Sequence, residues 1–373
     1  MKRVLILTQP LHNNYGGLLQ AYALQKVVKS LGFDVATNKI KLKDNKITIR
    51  KILTFGKSII KNIVYSITRR KNVLAENYKK ISTNTSQFVD KYIQTESTNM
   101  LSRKIAEKFD IFIVGSDQVF RKRWSPVTKY FLEDLKKRSD KTKIVYAASF
   151  GTDDLSEWTE EDIKNCKELA PKFKAVSVRE DTGIGIMKDY FNIVAEHVLD
   201  PTLLLNKEDY LQVIDKSDEF CRNKILTTYI LDKTDEKSEI IELVKNKLGL
   251  ESLSVMPKEK YSAETIDIED CVYPSVSKWI SGFRDAEFVV TDSFHGTVFS
   301  IIFNKPFICI SNGLRGITRI TSLLKIFNLE NRLITSKEIF SETLLSPINY
   351  DKVNFIWNQW KTKSMFFLRD SIC

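Results

Sequence analysis

The residues whose types and spacing best suit chemistry lie in Val289-Val290-Thr291-Asp292-Ser293-Phe294-His295-Gly296-Thr297, where an apolar run passes into a polar turn and then into a helical pattern from Val298. Such a turn sets Asp292, Ser293 and His295 at the carboxyl end of a strand. Gly296 and Thr297 then open a helix whose unpaired N–H groups and positive end favour a bound anion such as phosphate. An imidazole in that position can donate a proton, because histidine titrates near neutrality. The same spacing equally serves an Asp or Ser cap beside a hydrogen-bonded structural histidine.

Three further turns follow apolar runs. Asn13-Asn14-Tyr15-Gly16-Gly17, with Gln20 one turn later, lets backbone approach a ligand closely and offers amides suited to sugar hydroxyls; a plain tight turn accounts for it equally well. It lacks the full G-x-G-x-x-G fingerprint, and the chain has no G-x-x-x-x-G-K-[ST] loop, which argues against nicotinamide and nucleoside-triphosphate chemistry. In Val114-Gly115-Ser116-Asp117-Gln118, Asp117 is either a base or acceptor for a sugar hydroxyl or a helix cap. In Ser177-Val178-Arg179-Glu180-Asp181, Arg179 has a guanidinium suited to a planar carboxylate or phosphate, and an ion pair with its acidic neighbours is the plainer alternative. Arg315 and Arg319 flank Gly316 as anion ligands or as surface charges.

The elements that must position these residues are those of an α/β protein. Val4 to Thr8, the glycine turn, a helix carrying Leu18, Leu19, Tyr22, Val27 and Leu31, and then Phe33 to Val35 make an opening strand-helix-strand unit. Apolar runs at 111–114, 144–148 and 175–178 continue the series, and a second series runs through 225–231, 253–256, 288–291 and 306–310. At 373 residues the chain exceeds the usual size of one core. We expect two Rossmann-like domains facing a cleft: residues 1–195, with a basic helical insertion near 41–80, and residues 196–345. A terminal helix over 346–373, rich in aromatic residues, is expected to dock back on the first.

Composition narrows the function classes. Apolar residues make up 43% and charged residues 28%, values that suit a folded globular chain. Five scattered cysteines without a C-x-x-C pair, and three histidines, His12, His197 and His295, without metal-ligand spacing, favour a reducing compartment and no metal. The start, MKRVLILTQP, reads as a strand rather than a signal-peptide core, and no stretch is long and apolar enough to span a bilayer, so a cytoplasmic location is expected. Most of the net charge of +11 falls between Lys41 and Lys80. There Ile49, Ile52, Leu53, Ile59, Ile60, Ile63, Val64 and Ile67 recur at helical spacing among Arg50, Lys51, Lys57 and Lys61. The two readings are a surface helix packed on its own domain and peripheral contact with the inner membrane leaflet; no motif supports nucleic acid.

In order along the chain, NYGGLLQAYALQ, IFIVGSDQVF, VSVRED, VLDPTLLL, VTDSFHGTVFSIIFNKPF and RGITRITSLL resemble the landmarks of the polysaccharide pyruvyl transferases, from residue 13 to about 325. That bacterial family is similar in fold to glycosyltransferases of the two-domain B type. The resemblance implies phosphoenolpyruvate as donor substrate with no further cofactor, a saccharide acceptor, free or lipid-linked, and a pyruvate ketal in capsular or other exopolysaccharide. It places His295 as general acid and Asp117 or Asp292 as orienting carboxylates. It assigns Arg179, Arg315 and Arg319, with Ser293, Gly296 and Thr297, to the donor, and Asn14, Gly16, Gly17, Gln20 and Ser116 to the acceptor. Relatives often carry Arg two places before the histidine; Ser293 stands there, so that donor contact passes to Arg315 or Arg319 or is lost. The alternatives are a nucleotide-sugar glycosyltransferase and a glycan-binding relative without donor chemistry.

Overall fold

The computed structural model describes residues 1–39, 76–97, 101–218, 224–262 and 266–373. The basic helix expected over residues 49–67 lies outside them.

Two wholly parallel sheets organise the chain. The first holds seven strands, β1 (Arg3–Leu7), β2 (Asp34–Lys39), β3 (Thr95–Ser97), β4 (Ile111–Val114), β5 (Thr142–Ala148), β6 (Ala175–Val178) and β7 (Glu196–His197), in the order β3-β2-β1-β4-β5-β6-β7. The second holds β8 (Ile225–Tyr229), β9 (Glu251–Ser254), β10 (Phe288–Thr291), β11 (Phe307–Ile310) and β12 (Leu333–Ile334), in the order β12-β11-β10-β8-β9. Strands buried on both faces explain the unbroken apolar runs of the sequence.

The helices between them are α1 (Tyr15–Ser30), α2 (Thr83–Tyr92), α3 (Arg103–Lys108), α4 (Val127–Tyr130), α5 (Glu160–Leu169), α6 (Asp181–Phe191), α7 (Lys207–Leu211), α8 (Asp235–Leu248), α9 (Val276–Asp285), α10 (Phe294–Ile302), α11 (Thr318–Phe327) and α12 (Tyr350–Ile372). None among the described residues is long and apolar enough to cross a membrane. The boundaries follow ordinary chemistry. The Asn14 side chain caps α1 by accepting from the Gly17 N–H at 3.1 Å, and Thr159 with Asp162 makes a capping box on α5.

Alternation along each strand divides the apolar side chains into layers. Val4 and Ile6 of β1 join one core with Val289 and Phe307 of the second sheet, whereas Leu5 and Leu7 face a separate core under α5 and α6. Leu226, Val290 and Ile308 cover the far side of the second sheet. The shared middle core contains α1, which is buried over most of its length, and Tyr15 stacks on Trp279 at 5.5 Å. Trp279 is fully buried, and its truncation to alanine would cost about 3–5 kcal/mol.

Helix α12 ends the chain against the first sheet's half. Trp357 Nε1 donates to the Leu203 carbonyl at 2.7 Å, the Leu199 N–H donates to Ser364 Oγ at 2.9 Å, and Phe367 lies 6.3 Å from Tyr146. These contacts bury Val353, Trp357, Phe367, Leu368 and Ile372, while Phe355 and Phe366 stay exposed.

In both sheets the strand order reverses once. The chain moves outward from β1 through β2 and β3, then returns to add β4 on the other side of β1; it moves from β8 to β9, then adds β10 on the other side of β8. At such switch points the loops after the strands part and leave a crevice. All four loops at these points carry chemically distinctive residues: Asn13 to Gly17, Gly115 to Gln118, Leu231 to Lys233, and Asp292 to His295.

Candidate active site

A cleft of about 200 Å³ lies where the two crevices meet. Asn13, Asn14, Asp117 and Gln118 line it from the first half; Tyr229, Tyr273, Ser293, Phe294, His295, Arg315 and Arg319 line it from the second.

At the cleft, His295 packs from the second half against Gly16 of the first. A Cβ on Gly16 would fall 1.9 Å from His295 Nδ1, so no side chain fits at residue 16 while the imidazole holds its place. The other ring nitrogen, Nε2, is buried without a hydrogen-bond partner, 3.9 Å from Asp200 Oδ2. Burial drives the imidazole down to about 4, against the upward pull of the Asp200 carboxylate. His295 is therefore neutral at physiological pH.

Beneath it runs a buried ionic chain. Arg179 donates to Asp200 Oδ2 at 2.8 Å and to Asp117 Oδ1 at 3.1 Å, and its guanidinium carbon sits 4.6 Å from the centre of the Phe294 ring. Asp200 also accepts from Ser116 Oγ at 3.1 Å and from the Thr202 hydroxyl at 2.7 Å. Burial pushes both carboxyls up, yet the cationic side chains around them more than reverse this and hold both below the usual range. The two carboxylates favour an imidazolium at His295, against burial and the like charges of Arg179 and Arg319.

Arg319 differs. It is buried, its terminal nitrogen donates to the Arg315 carbonyl, and its Nε has no hydrogen-bond partner. Burial, and then the like charge of Arg179, bring it down to about 9 against the upward pull of Asp117 and Glu180; among the described residues no carboxylate stands within ion-pair distance of it. Arg315 at the cleft mouth is engaged by a two-toothed ion pair with Asp232, at 2.7 and 3.1 Å.

Several expectations need correcting. Arg179, expected to hold the donor, does not reach the cleft surface, because its charge is spent on Asp117 and Asp200. Asp292 borders the cleft, but its oxygens accept from the Leu231 and Asp232 N–H groups, Lys237 Nζ and Asn312 Nδ2 at 2.6, 3.2, 2.7 and 2.9 Å; it ties loops together rather than awaiting a ligand. Gln20 is fully buried and bonds Thr8, the Gly17 carbonyl and the Ser116 N–H, while Ser116 Oγ bonds the Ala147 carbonyl and Asp200, so neither can meet an acceptor sugar. Gly296 and Thr297 are buried behind the cleft: a Cβ on Gly296 would meet Thr291 Oγ1 at 2.0 Å, and Thr297 Oγ1 donates to the Ser293 carbonyl. Gly17 sits against the Asn14 side chain, where it supports the cap.

Asn14, Gly16, Asp117, Ser293, His295, Arg315 and Arg319 are brought together at the cleft or its wall. The Ser293 side chain does not cap α10, which leaves the helix end facing the cleft free of a side-chain acceptor. Sequence reasoning missed Asp200 as the carboxylate beside His295; its only local signal is its place before Pro201, after the apolar Val198-Leu199. It also missed the cleft-lining Tyr229, which lies within the apolar run 225–231, and Tyr273, which lies outside the runs and motifs named above.

Comparison with known proteins adds a family. The polysaccharide pyruvyl transferase description matches residues 14–313. A comparison with curated proteins gave no match. Among solved structures the chain is similar to a putative UDP-N-acetylglucosamine 2-epimerase from Listeria monocytogenes, with 10% identity, a TM-score of 0.52, and coverage of 96% of this chain and 91% of that one. It is also similar to the UDP-GlcNAc 2-epimerase of Neisseria meningitidis, with 8% identity, a TM-score of 0.51, and coverage of 98% and 100%. A third is Arabidopsis thaliana UGT89C1 complexed with UDP-L-rhamnose, with 6% identity, a TM-score of 0.53, and coverage of 100% and 99%. At such identities the likeness is one of fold: the two-sheet, B-type glycosyltransferase arrangement.

Proposed function

This chain belongs to the polysaccharide pyruvyl transferase family, and on that premise we propose that its cleft moves the enolpyruvyl group of phosphoenolpyruvate onto a pair of saccharide hydroxyls, leaving a pyruvate ketal in capsular or other surface polysaccharide. The observation that carries this reading is the pairing of Arg319, a buried cation with no direct ion pair and an unpartnered Nε, with His295, a proton carrier backed by Asp200. Such a site calls for an anion that also needs a proton.

Phosphoenolpyruvate meets both demands. Its carboxylate and phosphate supply the direct ion pair that Arg319 lacks, with the uncapped start of α10 completing the cradle. The incoming negative charge raises the imidazole's proton affinity, and His295 takes up a proton that Asp200 and Asp117 help to hold. His295 then delivers it to the methylene carbon. The C=C electron pair forms the new C–H bond, and the adjacent carbon becomes an oxocarbenium-like electrophile.

A saccharide hydroxyl attacks that carbon, and its proton returns to His295. A second hydroxyl displaces the phosphate, whose leaving oxygen receives the second hydroxyl proton. Two O–H protons are lost; one is gained by the methyl group and one by the phosphate, so the reaction balances without redox change. Asn14 beside Asp117 faces the cleft from the first half and suits the acceptor's hydroxyls.

The test is turnover. Purified protein, phosphoenolpyruvate and a panel of mono- and oligosaccharides should release phosphate and add to one sugar the mass of pyruvate less water, and His295→Gln should abolish both. Consumption of a nucleotide sugar with no use of phosphoenolpyruvate would replace this reading with a glycosyltransferase.

A further inference from the structure

Beside the cleft lies a second hollow of about 300 Å³, which shares Asn14, Asp117, Gln118 and Arg315 with it and continues past Gln9 and His12 to Trp124. Trp124 is among the few large apolar side chains left open to solvent, 49% exposed. A half-bare indole at the mouth of a polar cleft is an unusual use of apolar surface, since the same ring buried would stabilise the fold.

The indole is also held in place. Its guanidinium neighbours, Arg121 and Arg123, lie 5.9 and 5.4 Å from its ring centre, and Arg121 is anchored to Glu157 at 3.1 Å. The turn that carries it is fastened as well: the Trp124 N–H donates to the Arg121 carbonyl at 3.1 Å, Ser125 Oγ donates to the Gln118 carbonyl at 3.0 Å, and Gln9 Nε2 donates to the same carbonyl at 2.9 Å. A flat, fixed ring costs little ordering when a ligand lands on it.

The hollow's remaining chemistry is polar and nearly uncharged. The acid and the base that border it are already paired, Asp117 with Arg179 and Arg315 with Asp232. Burial holds the His12 imidazole below its ordinary range, which keeps it neutral at physiological pH. Asn14 and Gln118 add amide groups, and Gln9, whose Nε2 is given to the Gln118 carbonyl and Ser125 Oγ, adds an acceptor. A ring at one end of a hollow lined by amides matches a pyranose, which has an apolar C–H face and a rim of hydroxyls; a wholly apolar ligand would leave the amides unmatched.

We infer that this hollow is a second acceptor subsite, in which Trp124 stacks on a sugar residue next to the one that receives the pyruvyl group, so that the enzyme acts on a chain of at least two sugars. The inference rests on the proposed transferase reading and extends it from one sugar to an oligosaccharide. Trp124 is a binding residue remote from the reacting atoms.

The experiment is acceptor-length dependence. Phosphate release from phosphoenolpyruvate is measured with galactose, glucose, mannose and N-acetylglucosamine and with their di- and trisaccharides, for wild type, Trp124→Ala and Trp124→Phe. Wild type should prefer a di- or trisaccharide to its parent monosaccharide in kcat/KM. That preference should shrink on the order of fivefold to tenfold in Trp124→Ala, through KM, and be largely kept in Trp124→Phe. Equal preference in all three proteins, or a loss in Trp124→Ala that is the same for mono- and disaccharide, would overturn the subsite while leaving the transferase standing. Turnover of no panel sugar by wild type would remove the transferase reading and the subsite with it.

Discussion

Binding of the donor should draw a proton from solution, because the site that must deliver one holds a neutral imidazole when empty. His295 stands at about 4, so at pH 7.5 it is essentially unprotonated. One unit of negative charge at roughly 5 Å, at an effective dielectric constant of about 20, favours the imidazolium by about 3 kcal/mol, or a little over two pKa units. Phosphoenolpyruvate carries a carboxylate and, above the second phosphate ionisation near pH 6, a phosphate dianion. Two of those charges acting together would lift His295 to about 8 or above, past the assay pH. Calorimetric titration in a series of buffers of differing ionisation enthalpy at pH 7.5 reads the uptake directly as a slope. The expected value is close to one proton per bound phosphoenolpyruvate, falling to near zero in His295→Gln. A slope near zero in wild type, or one that His295→Gln leaves intact, would refute the coupling of charge and proton at this site.

Other substitutions separate binding from architecture. Arg319→Met should weaken phosphoenolpyruvate binding on the order of a hundredfold while leaving the melting temperature unchanged or higher, since it removes a buried cation that has no direct ion pair; calorimetry and thermal melts decide it. Arg179→Met should do the opposite, destabilising by about 3–5 kcal/mol in denaturant titrations, because Asp117 and Asp200 would be left buried and unpaired. In Gly16→Ala the new methyl group would displace the His295 ring, so kcat should fall on the order of a hundredfold with phosphoenolpyruvate affinity reduced far less.

Much of the architecture is legible in the sequence because parallel strands must be apolar on both faces and end at turns, which makes runs such as Ile111–Val114 and Phe288–Thr291 conspicuous. The positions of Asn14, Asp117 and His295 after such runs follow from the same pattern. What spacing does not carry is the identity of distant partners. Arg179 stands beside Glu180 and Asp181 in sequence, yet its bonds go to Asp200 and Asp117, 21 and 62 residues away. Gln20 looks like a ligand amide until Thr8 and Ser116 are folded onto it. Asp292 likewise looks free until Lys237 and Asn312 arrive from other elements. The glycine pattern at residues 16 and 17 was visible; that Gly16 makes room for an imidazole of the other half was not, because the contact spans 279 positions of chain.

The most direct test of the account is the fate of the methylene carbon. With phosphoenolpyruvate and an accepted saccharide in heavy water, the account predicts a product whose pyruvate methyl carries one deuterium, formed by wild type and not by His295→Gln. A transferred group with no solvent deuterium, or labelled product made by His295→Gln at the wild-type rate, would contradict it.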